Sequence, residues 1–175
     1  MITADITDYD QRVQTGRTRE AAIIETLKRA GVRLEPPTRK EDTQQGIDAW
    51  IVDESGRHSL QIKGRETGDD IIFEVIKDIA KNIMGRDFQS VAEYYLVVDR
   101  DGLGGMVRTA DIKARAKALH DMARQEWANR TGRRAWEGPG WELKVTVDRA
   151  HGYAKLMAYF SPTLFKAFGS WRFSL

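Results

Sequence analysis

The chain lacks several features that common classes of protein require. Among its 175 residues there is no cysteine, which excludes disulfides, thiolate zinc sites and a cysteine nucleophile. It has no apolar run approaching the roughly 20 residues that a membrane helix needs, and no charged-then-apolar signal at its N-terminus. We therefore expect a cytoplasmic protein with no membrane partner.

Some catalytic signatures are absent as well. The three histidines, His58, His120 and His151, form no His-x-x-x-His pair, and no Gly-x-Ser-x-Gly elbow supports Ser/His/Asp catalysis. The Gly-rich turn predicted at 101–105 lacks the GxGxxG and Walker patterns of phosphate loops. Since 28 basic residues face 26 acidic ones, for a net charge of +2, bulk charge does not identify nucleic acid as a partner.

What the sequence does contain is the composition of an ordinary globular chain, with 41% hydrophobic and 31% charged residues. Its length suits one domain with a sizeable core. We expect a single domain over 1–175, with a core from about 16 to 130 and a C-terminal loop plus β-hairpin extension at 131–175.

The most informative stretch is a predicted β-hairpin. Two β-rich runs, 46–53 and 58–65, flank Ser55-Gly56, a dipeptide typical of a tight turn. With that dipeptide as the loop, Asp48 pairs with Lys63.

The hairpin brings three polar side chains together. Opposed residues share a face and side chains alternate along a strand, so Asp48, Gln61 and Lys63 project from one side. The other side is apolar, and we expect it to be buried: Ile47, Ala49, Ile51, Leu60 and Ile62.

A carboxylate upstream adds to this group. Apolar residues at helical spacing predict a first helix from about Thr18 to Ala30, ended by Gly31. Glu20 lies on the buried stripe of that helix, whereas Glu25 points to water. Either Glu20 reaches a polar site, or it favours the dipole at the helix N-terminus.

These residues resemble a known family. An Asp on one strand followed by Gln-x-Lys on the next, here Gly46-Ile47-Asp48 and Gln61-Ile62-Lys63, is similar to the metal-dependent PD-(D/E)XK nuclease superfamily, and most similar to its Mrr-like restriction endonucleases. The resemblance implies an α/β fold with a mixed central β-sheet flanked by helices, a restriction-endonuclease-like core.

It also implies a catalytic role for each residue. Mg²⁺, for which Mn²⁺ would substitute, would be held by Asp48, the Gln61 side-chain oxygen, the Ile62 carbonyl and Glu20, directly or through water. Lys63 would orient the attacking water or stabilise the transition state. Gln61 stands where an acid is usual, which should weaken metal affinity and leaves room for a relative that does not cut.

DNA contacts are expected around this site and in a later loop. Arg39 and Lys40 precede Asp48 in a polar loop predicted at 38–45, and Arg65 is the last residue of the second β-rich run. In the segment 130–141, arginines and tryptophans on a Gly/Pro loop suit either DNA contacts or a loop folded over a small core. The residues assigned to DNA there are Arg130, Arg133, Arg134 and Trp136.

The remaining elements are predicted from periodicity. Isoleucines at helical spacing favour a helix from 69 to 83, with a strand at 71–75 as the alternative. The other expectations are a short strand at 32–35, a strand inside the sheet at 92–98, an antiparallel pair at 142–147 and 153–160, and a tail from 162 to 175 that packs on the body or on a second subunit. A helix is expected from Thr109 or Asp111 to about Arg130, with a core stripe formed by Ile112, Ala116, Leu119, Ala123 and Trp127.

Three functional hypotheses follow. The first is a Mg²⁺-dependent DNA endonuclease of the restriction, repair or junction-processing type. The second is a non-catalytic DNA-binding or assembly module on the same fold. The third is an unrelated domain in which Asp48 and Lys63 form a simple cross-strand ion pair. No separate recognition domain is visible, so we expect DNA to be recognised by its structure or through a homodimer.

Overall fold

The computed structural model describes residues 4–64, 70–98, 103–148, 151–161, 164 and 170–172. These ranges contain helices α1 (Ala4–Arg29), α2 (Arg86–Gln89) and α3 (Thr109–Ala128). The strands are β1 (Leu34–Glu35), β2 (Ala49–Asp53), β3 (Gly56–Gly64), β4 (Ile71–Asp78), β5 (Ile83–Met84), β6 (Tyr94–Val98), β7 (Leu103–Arg108), β8 (Ala135–Gly138), β9 (Trp141–Val147), β10 (Ala154–Phe160) and β11 (Ser170–Arg172). None of these helices is long and apolar enough to cross a membrane.

The strands form two sheets. The first has the order β1-β2-β3-β6-β7-β11 and is mixed, because β3 and β6 run parallel while their neighbours pair antiparallel. The second is antiparallel, with the order β5-β4-β10-β9-β8. The predicted α/β class is confirmed. One face of the first sheet, however, is covered by the second sheet as well as by α3, whereas helices alone were expected there.

Helix α1 covers the other face of the first sheet. Ile23 and Leu27 lie on the apolar stripe of the helix and are buried. They pack in one cluster with the inward-facing residues of three strands, namely Ala49, Leu60, Ile62, Leu96 and Val98. The apolar face predicted for the hairpin is therefore the face that α1 covers, which also fixes where Glu20 lies.

The larger core lies between the first sheet, the second sheet and α3. From the first sheet it takes Tyr95, Val97 and Val107. From α3 it takes the predicted stripe, in which Ile112, Ala116, Leu119 and Ala123 are buried and Trp127 is partly buried. From the second sheet it takes Ile71, Phe73, Val75, Ile76, Leu143, Leu156, Ala158 and Phe160.

The β2–β3 hairpin is confirmed, but its register differs from the prediction by two residues. Trp50 pairs with Ser59, which places Asp48 opposite Gln61 and not opposite Lys63. Because the shift is two residues, every side chain remains on its predicted face.

The register changes because the turn begins one residue earlier. The two-residue loop is Glu54-Ser55. The Asp53 carboxylate accepts hydrogen bonds from the Ser55 N–H (2.7 Å) and the Gly56 N–H (3.2 Å). An Asp side chain that bonds the backbone two residues on initiates a turn at its own position.

The helix predicted from 69 to 83 is wrong within the described part of that range. Residues Ile71–Asp78 form β4, which confirms the alternative prediction of a strand at 71–75. Ile71, Phe73 and Val75 are buried at every second position, which is the strand period. The helical spacing of the isoleucines at 72, 76, 79 and 83 is a coincidence, because only Ile72 and Ile76 belong to β4, whereas Ile79 follows that strand and Ile83 lies in β5.

Other boundaries also differ. Helix α1 begins at Ala4, not near Thr18. The expected loop at 38–45 contains a π-helical turn, Glu41–Gln45. Strand β7 starts at Leu103, inside the predicted Gly-rich turn, whose first two residues lie outside the described part.

Several elements are confirmed. Strand β6 lies inside the first sheet, β9 and β10 pair antiparallel, and α3 starts at Thr109. Of the tail, the described strand β11 pairs with β7 of the same chain.

Candidate functional site

The four residues predicted to carry the chemistry meet at one cavity. It has a volume of about 770 Å³ and lies between α1, the turn Glu41–Gln45, the hairpin and α2. Glu20, Asp48, Gln61 and Lys63 all line it. Three separate stretches of sequence are brought together because α1 crosses the hairpin on its apolar face and reaches the end where Asp48 lies.

Asp48 is held by the backbone of the opposite strand. Its N–H donates to the carbonyl of Leu60 (2.8 Å), and its Oδ2 accepts the N–H of Ile62 (2.6 Å). Burial raises the pKa of Asp48, while the Ile62 hydrogen bond and the charge of Lys63 oppose that increase. The carboxylate is thus fixed in position beside the Ile62 backbone.

Glu20 approaches the same point from α1. Burial, followed by the negative charge of Asp48, raises the pKa of Glu20 to about 7, and the charge of Lys63 works against the rise. Two carboxylates that repel each other in a partly buried cavity would be stabilised by a cation between them. Glu25 is exposed and pairs with Lys28 (3.1 Å), so the predicted helical phase is confirmed.

Gln61 is buried, with 5% of its surface exposed. Its Nε2 donates to Oδ1 of Asp87 (3.2 Å). Because a carboxylate only accepts, the amide nitrogen must face Asp87 and the amide oxygen must face away from it. That oxygen is buried and has no hydrogen-bond partner within the described residues, and a buried unpaired acceptor is costly unless something fills the position.

Lys63 pairs with Asp87 and not with Asp48. Its Nζ lies 3.6 Å from Asp87 Oδ1, and its side chain is 40% exposed. The cross-strand ion pair of the third hypothesis is therefore absent among the described residues, although the positive charge still lowers the pKa of Asp48.

Asp87 is the residue that sequence reasoning missed. It lies in the first turn of α2 and is buried, with 5% of its surface exposed. Besides the contacts with Gln61 and Lys63, its Oδ2 accepts the N–H of Glu74 (2.7 Å). Asp87 was missed because a helix was predicted from 69 to 83. If 71–75 had been predicted as a strand, the Gly-Arg-Asp at 85–87 could have been interpreted as the start of a separate helix near the hairpin.

The donor set suits a hard cation with few protein ligands. Across the described ranges, no three His, Cys, Asp or Glu side chains lie close enough together to hold a metal ion. The candidate site instead combines the carboxylates of Glu20 and Asp48 with the orphaned oxygen of Gln61. Mg²⁺ binds oxygen ligands and keeps several waters, so these residues fit it as a partial shell beside the Ile62 backbone.

Arginines surround the acidic centre. Arg17, Arg39 and Arg86 line the cavity, and all three are exposed and make no ion pair with another described residue. Burial raises the pKa of both Glu20 and Asp48, and the positive charges of Arg17 and Arg86, respectively, offset a small part of that rise. Such a ring suits a ligand that carries a phosphate.

Of the DNA contacts predicted near the site, Arg39 alone is placed in it. Lys40, which follows Arg39 in the chain, is exposed and does not line the cavity. Arg65 lies outside the described residues.

The second predicted DNA-binding segment includes a core residue. Trp136 is only 2% exposed, packs edge-on against Trp127, and donates from Nε1 to Glu126 Oε2 (2.7 Å). Its indole cannot stack on a base, so the predicted contact at Trp136 is wrong and the alternative, packing over a core, holds for it.

The arginines of this segment differ among themselves. Arg133 is held by Glu126 (3.8 Å) and by the carbonyl of Ala135 (2.8 Å). Arg130 and Arg134 are exposed. None of the three lines the acidic cavity, so a DNA contact at these residues stays a prediction.

A Ser-His-Glu cluster lies at the turn of the hairpin. His58 Nε2 is 2.8 Å from Ser55 Oγ, and its Nδ1 is 2.9 Å from Glu93 Oε2. Ser55 Oγ also donates to Asp53 (2.6 Å), so it must accept from His58. The hydrogen bond with Glu93 and the nearby carboxylates raise the pKa of His58 despite some desolvation. Because the Ser55 hydroxyl proton is donated to Asp53 and not to His58, the imidazole is not placed to deprotonate the serine, and the cluster is structural.

Comparison with known proteins identifies no relative: no protein-family model, curated protein or solved structure matches the chain.

Proposed function

We propose that the protein is a Mg²⁺-dependent DNA endonuclease with a PD-(D/E)XK-like site and a restriction-endonuclease-like core. One observation carries the proposal. Glu20, Asp48, Gln61 and Lys63 line a single cavity, and the side-chain oxygen of Gln61 is buried without a hydrogen-bond partner among the described residues. This is the residue set that the Asp and Gln-x-Lys resemblance requires.

The chain's own groups divide the work of phosphodiester hydrolysis. The arginines at the rim bind and orient the phosphate. Asp48, Glu20 and the Gln61 oxygen hold the cation, which when bound supplies charge stabilisation and an acidified water. Lys63 stands next to this shell, where its ammonium orients the water or stabilises the extra negative charge of the transition state.

Asp87 is a positioning residue in this scheme. It turns the amide of Gln61 so that the oxygen, and not the nitrogen, is available as a ligand. Its second interaction holds Lys63 at 3.6 Å, so a single buried carboxylate orients a metal ligand and the catalytic ammonium together. Outer-shell groups of this kind commonly set the orientation of ligands.

A second function, DNA binding without cleavage, is favoured by the neutral ligand. Gln61 replaces an acid, and the described residues contain no cluster of three metal-binding acids or histidines. Both features lower the site's negative charge and its affinity for a divalent cation.

One experiment tests the function. Supercoiled plasmid is incubated with protein and Mg²⁺, Mn²⁺ or EDTA, and nicked and linear products are measured. We expect cleavage with either metal, none with EDTA, and none in Asp48→Ala. Thermal unfolding of the same proteins measures metal binding separately, since a ligand of the folded state raises Tm. Stabilisation by Mn²⁺ without any cleavage would identify the binding module, and its absence together with inactivity would reject the site.

A further inference from the structure

A second cavity adjoins the first. It has a volume of about 650 Å³ and lies between β4, β10 and the end of β3. Lys63 and Arg86 line both cavities. The proposed reaction centre is therefore at one end of a longer depression, which continues past these two cations onto the second sheet.

The acidic groups of this second cavity are already engaged. Lys155 lies 3.0 Å from Glu74 and 2.8 Å from Asp148. Asp78 accepts the N–H of Lys81 (3.2 Å), and Asp87 holds Lys63 as described. Two ammoniums, Lys155 and Lys63, thus pair with three of the four carboxylates, and the fourth, Asp78, is held by a backbone N–H.

Positive charge remains at the rim. Lys77 and Arg86 are exposed and make no ion pair with any described residue. The side chain of Lys81 is 74% exposed and its ammonium lies 3.7 Å from Asp78, so the ion pair is screened by water and weak. All three cations line the second cavity.

An aromatic surface lies in the same cavity. The rings of His151 and Tyr153 are stacked, with centroids 5.3 Å apart and planes 22° from parallel. Both residues line the cavity, and His151 is half exposed. Cations that follow a backbone beside an aromatic surface for bases are the pattern of single-strand binding.

We propose that this second cavity binds an unpaired nucleic-acid strand next to the phosphate that reacts. Lys77, Lys81 and Arg86 contact its phosphates. The half-exposed ring of His151 stacks on a base and is supported from behind by Tyr153, whose own ring also faces the Lys155 ammonium at 5.6 Å. A base in a duplex presents only its edges, so stacking requires an unpaired nucleotide. The proposal rests on the proposed function and narrows its substrate to DNA with a single-stranded segment, such as a flap or a frayed end.

Binding assays in EDTA test the inference without cleavage. Affinities for a fluorescent single-stranded 15-mer, a blunt duplex and a duplex with a single-stranded flap are measured over a range of salt. The wild type should prefer the two DNAs that contain single strand. Lys77→Ala with Lys81→Ala should weaken their binding and reduce the salt slope by about 1.4, from about 0.7 per phosphate contact on a single strand.

The aromatic surface has its own variants. Tyr153→Ala should weaken single-strand binding about 5- to 100-fold with an unchanged salt slope, because stacking is lost and charge is not. Tyr153→Phe should bind like the wild type. The matched control is Arg115→Ala with Arg124→Ala, which removes two exposed cations of α3 that line neither cavity.

Three outcomes overturn the inference: equal or tighter binding of the blunt duplex, no effect of the lysine and tyrosine variants, or an equal effect of the α3 control. Hydrolysis of bis(p-nitrophenyl) phosphate with Mn²⁺ measures the activity of the reaction centre alone, and it should be the same in wild type and in Arg115→Ala with Arg124→Ala, which alters neither cavity. If the wild type cleaves neither this diester nor DNA, the proposed function fails. The binding measurements in EDTA still test whether the second cavity binds an unpaired strand, because they do not depend on cleavage. Unchanged Tm in the variants excludes loss of fold.

Discussion

At the scale of single residues, Lys63 is the group whose role can be separated most clearly from stability. A partly exposed ammonium 3.6 Å from a carboxylate contributes at most about 1 kcal/mol to folding. If it acts on the transition state, its loss costs at least ~10²-fold in cleavage rate, on the order of 3 kcal/mol. We expect Lys63→Ala to bind DNA and Mn²⁺ but to cut poorly.

Two further variants accompany this one. Lys63→Arg should restore little activity, because a broad guanidinium does not reproduce the position of a compact ammonium. Lys40→Ala removes an equal charge that does not line the cavity, and it should cut at nearly the wild-type rate. Plasmid cleavage by Lys63→Ala at that same rate would rule out the catalytic role.

Gln61 and Asp87 make a coupled pair. Gln61→Glu would restore the acid usual in the resembled superfamily, but it would place two carboxylates where an amide now donates over 3.2 Å. We therefore expect Gln61→Glu alone to lower stability. Adding Asp87→Asn should recover much of the loss, because the new amide can donate to Glu and still accept the N–H of Glu74.

Urea unfolding of the two single variants and the double variant measures this coupling as a double-mutant cycle. Mn²⁺ affinity, read from the same proteins by calorimetry, should be highest in the double variant. Additive effects on stability would mean that Asp87 does not orient residue 61.

Glu20 links folding to pH. Its pKa is about 7 in the folded protein, against a usual value of 4.5. Because the folded state holds the proton more tightly, stability in EDTA should fall as the pH rises from about 4.5 to about 7. Glu20→Gln, which cannot ionise, should flatten this part of the profile.

The matched variant is Glu25→Gln, on the exposed face of the same helix. Urea unfolding between pH 4 and 8, about the span that contains both pKa values of Glu20, should give Glu25→Gln the wild-type slope. If stability varied with pH as steeply in Glu20→Gln as in the wild type, the raised pKa of Glu20 would not be the cause of the pH dependence.

At the scale of elements, strand β8 shows why a basic aromatic segment need not be a DNA contact. Trp136→Ala should cost about 3–5 kcal/mol, as expected for a large side chain removed from a core, because it empties the space against Trp127 and leaves Glu126 without its donor. Arg134→Ala, two residues away and exposed, should change stability by less than about 0.5 kcal/mol. Urea unfolding compares the two, and a small effect of Trp136→Ala would remove this residue from the core.

At the scale of the whole molecule, the two sheets are joined through Tyr95. Its side chain is fully buried on β6, and its hydroxyl donates to the carbonyl of Ile72 on β4 (2.8 Å). Burial raises its pKa well above the ordinary value, so the hydroxyl remains a donor. Tyr95→Phe removes the donor from the part-buried Ile72 carbonyl, at a cost of about 0.5–1.5 kcal/mol, the net contribution of a typical hydrogen bond.

Tyr94→Phe is the control. Tyr94 is the residue before Tyr95 in the same strand, but its ring is less buried than that of Tyr95 and faces the α1 side of the sheet. Both variants should unfold in one transition by circular dichroism and by fluorescence, since residues of both sheets share one core. Equal stability of Tyr95→Phe and wild type would mean that this hydrogen bond does not hold the sheets together.

The local pattern of the sequence determined the hairpin, the face that each of its side chains occupies, the phase of α1 at Glu20 and the stripe of α3. These features depend on periodicity within one element, which neighbouring residues specify. The sequence pattern also placed Asp48, Gln61 and Lys63 on one face of the hairpin. The predicted register was wrong by two residues, but a shift of two residues leaves each side chain on the same face.

Only the tertiary structure decided what those residues touch. A largely apolar run such as 71–76 satisfies both helical and strand spacing. The pairing of β4 with β10, whose residues lie 80 to 89 positions later in the chain, selects the strand. That choice in turn places α2 and the buried Asp87 beside Gln61 and Lys63, and opens the second cavity next to the first. Contacts between distant segments depend on packing and long-range pairing, which no local pattern encodes, so the partners of the site could be known only from the fold.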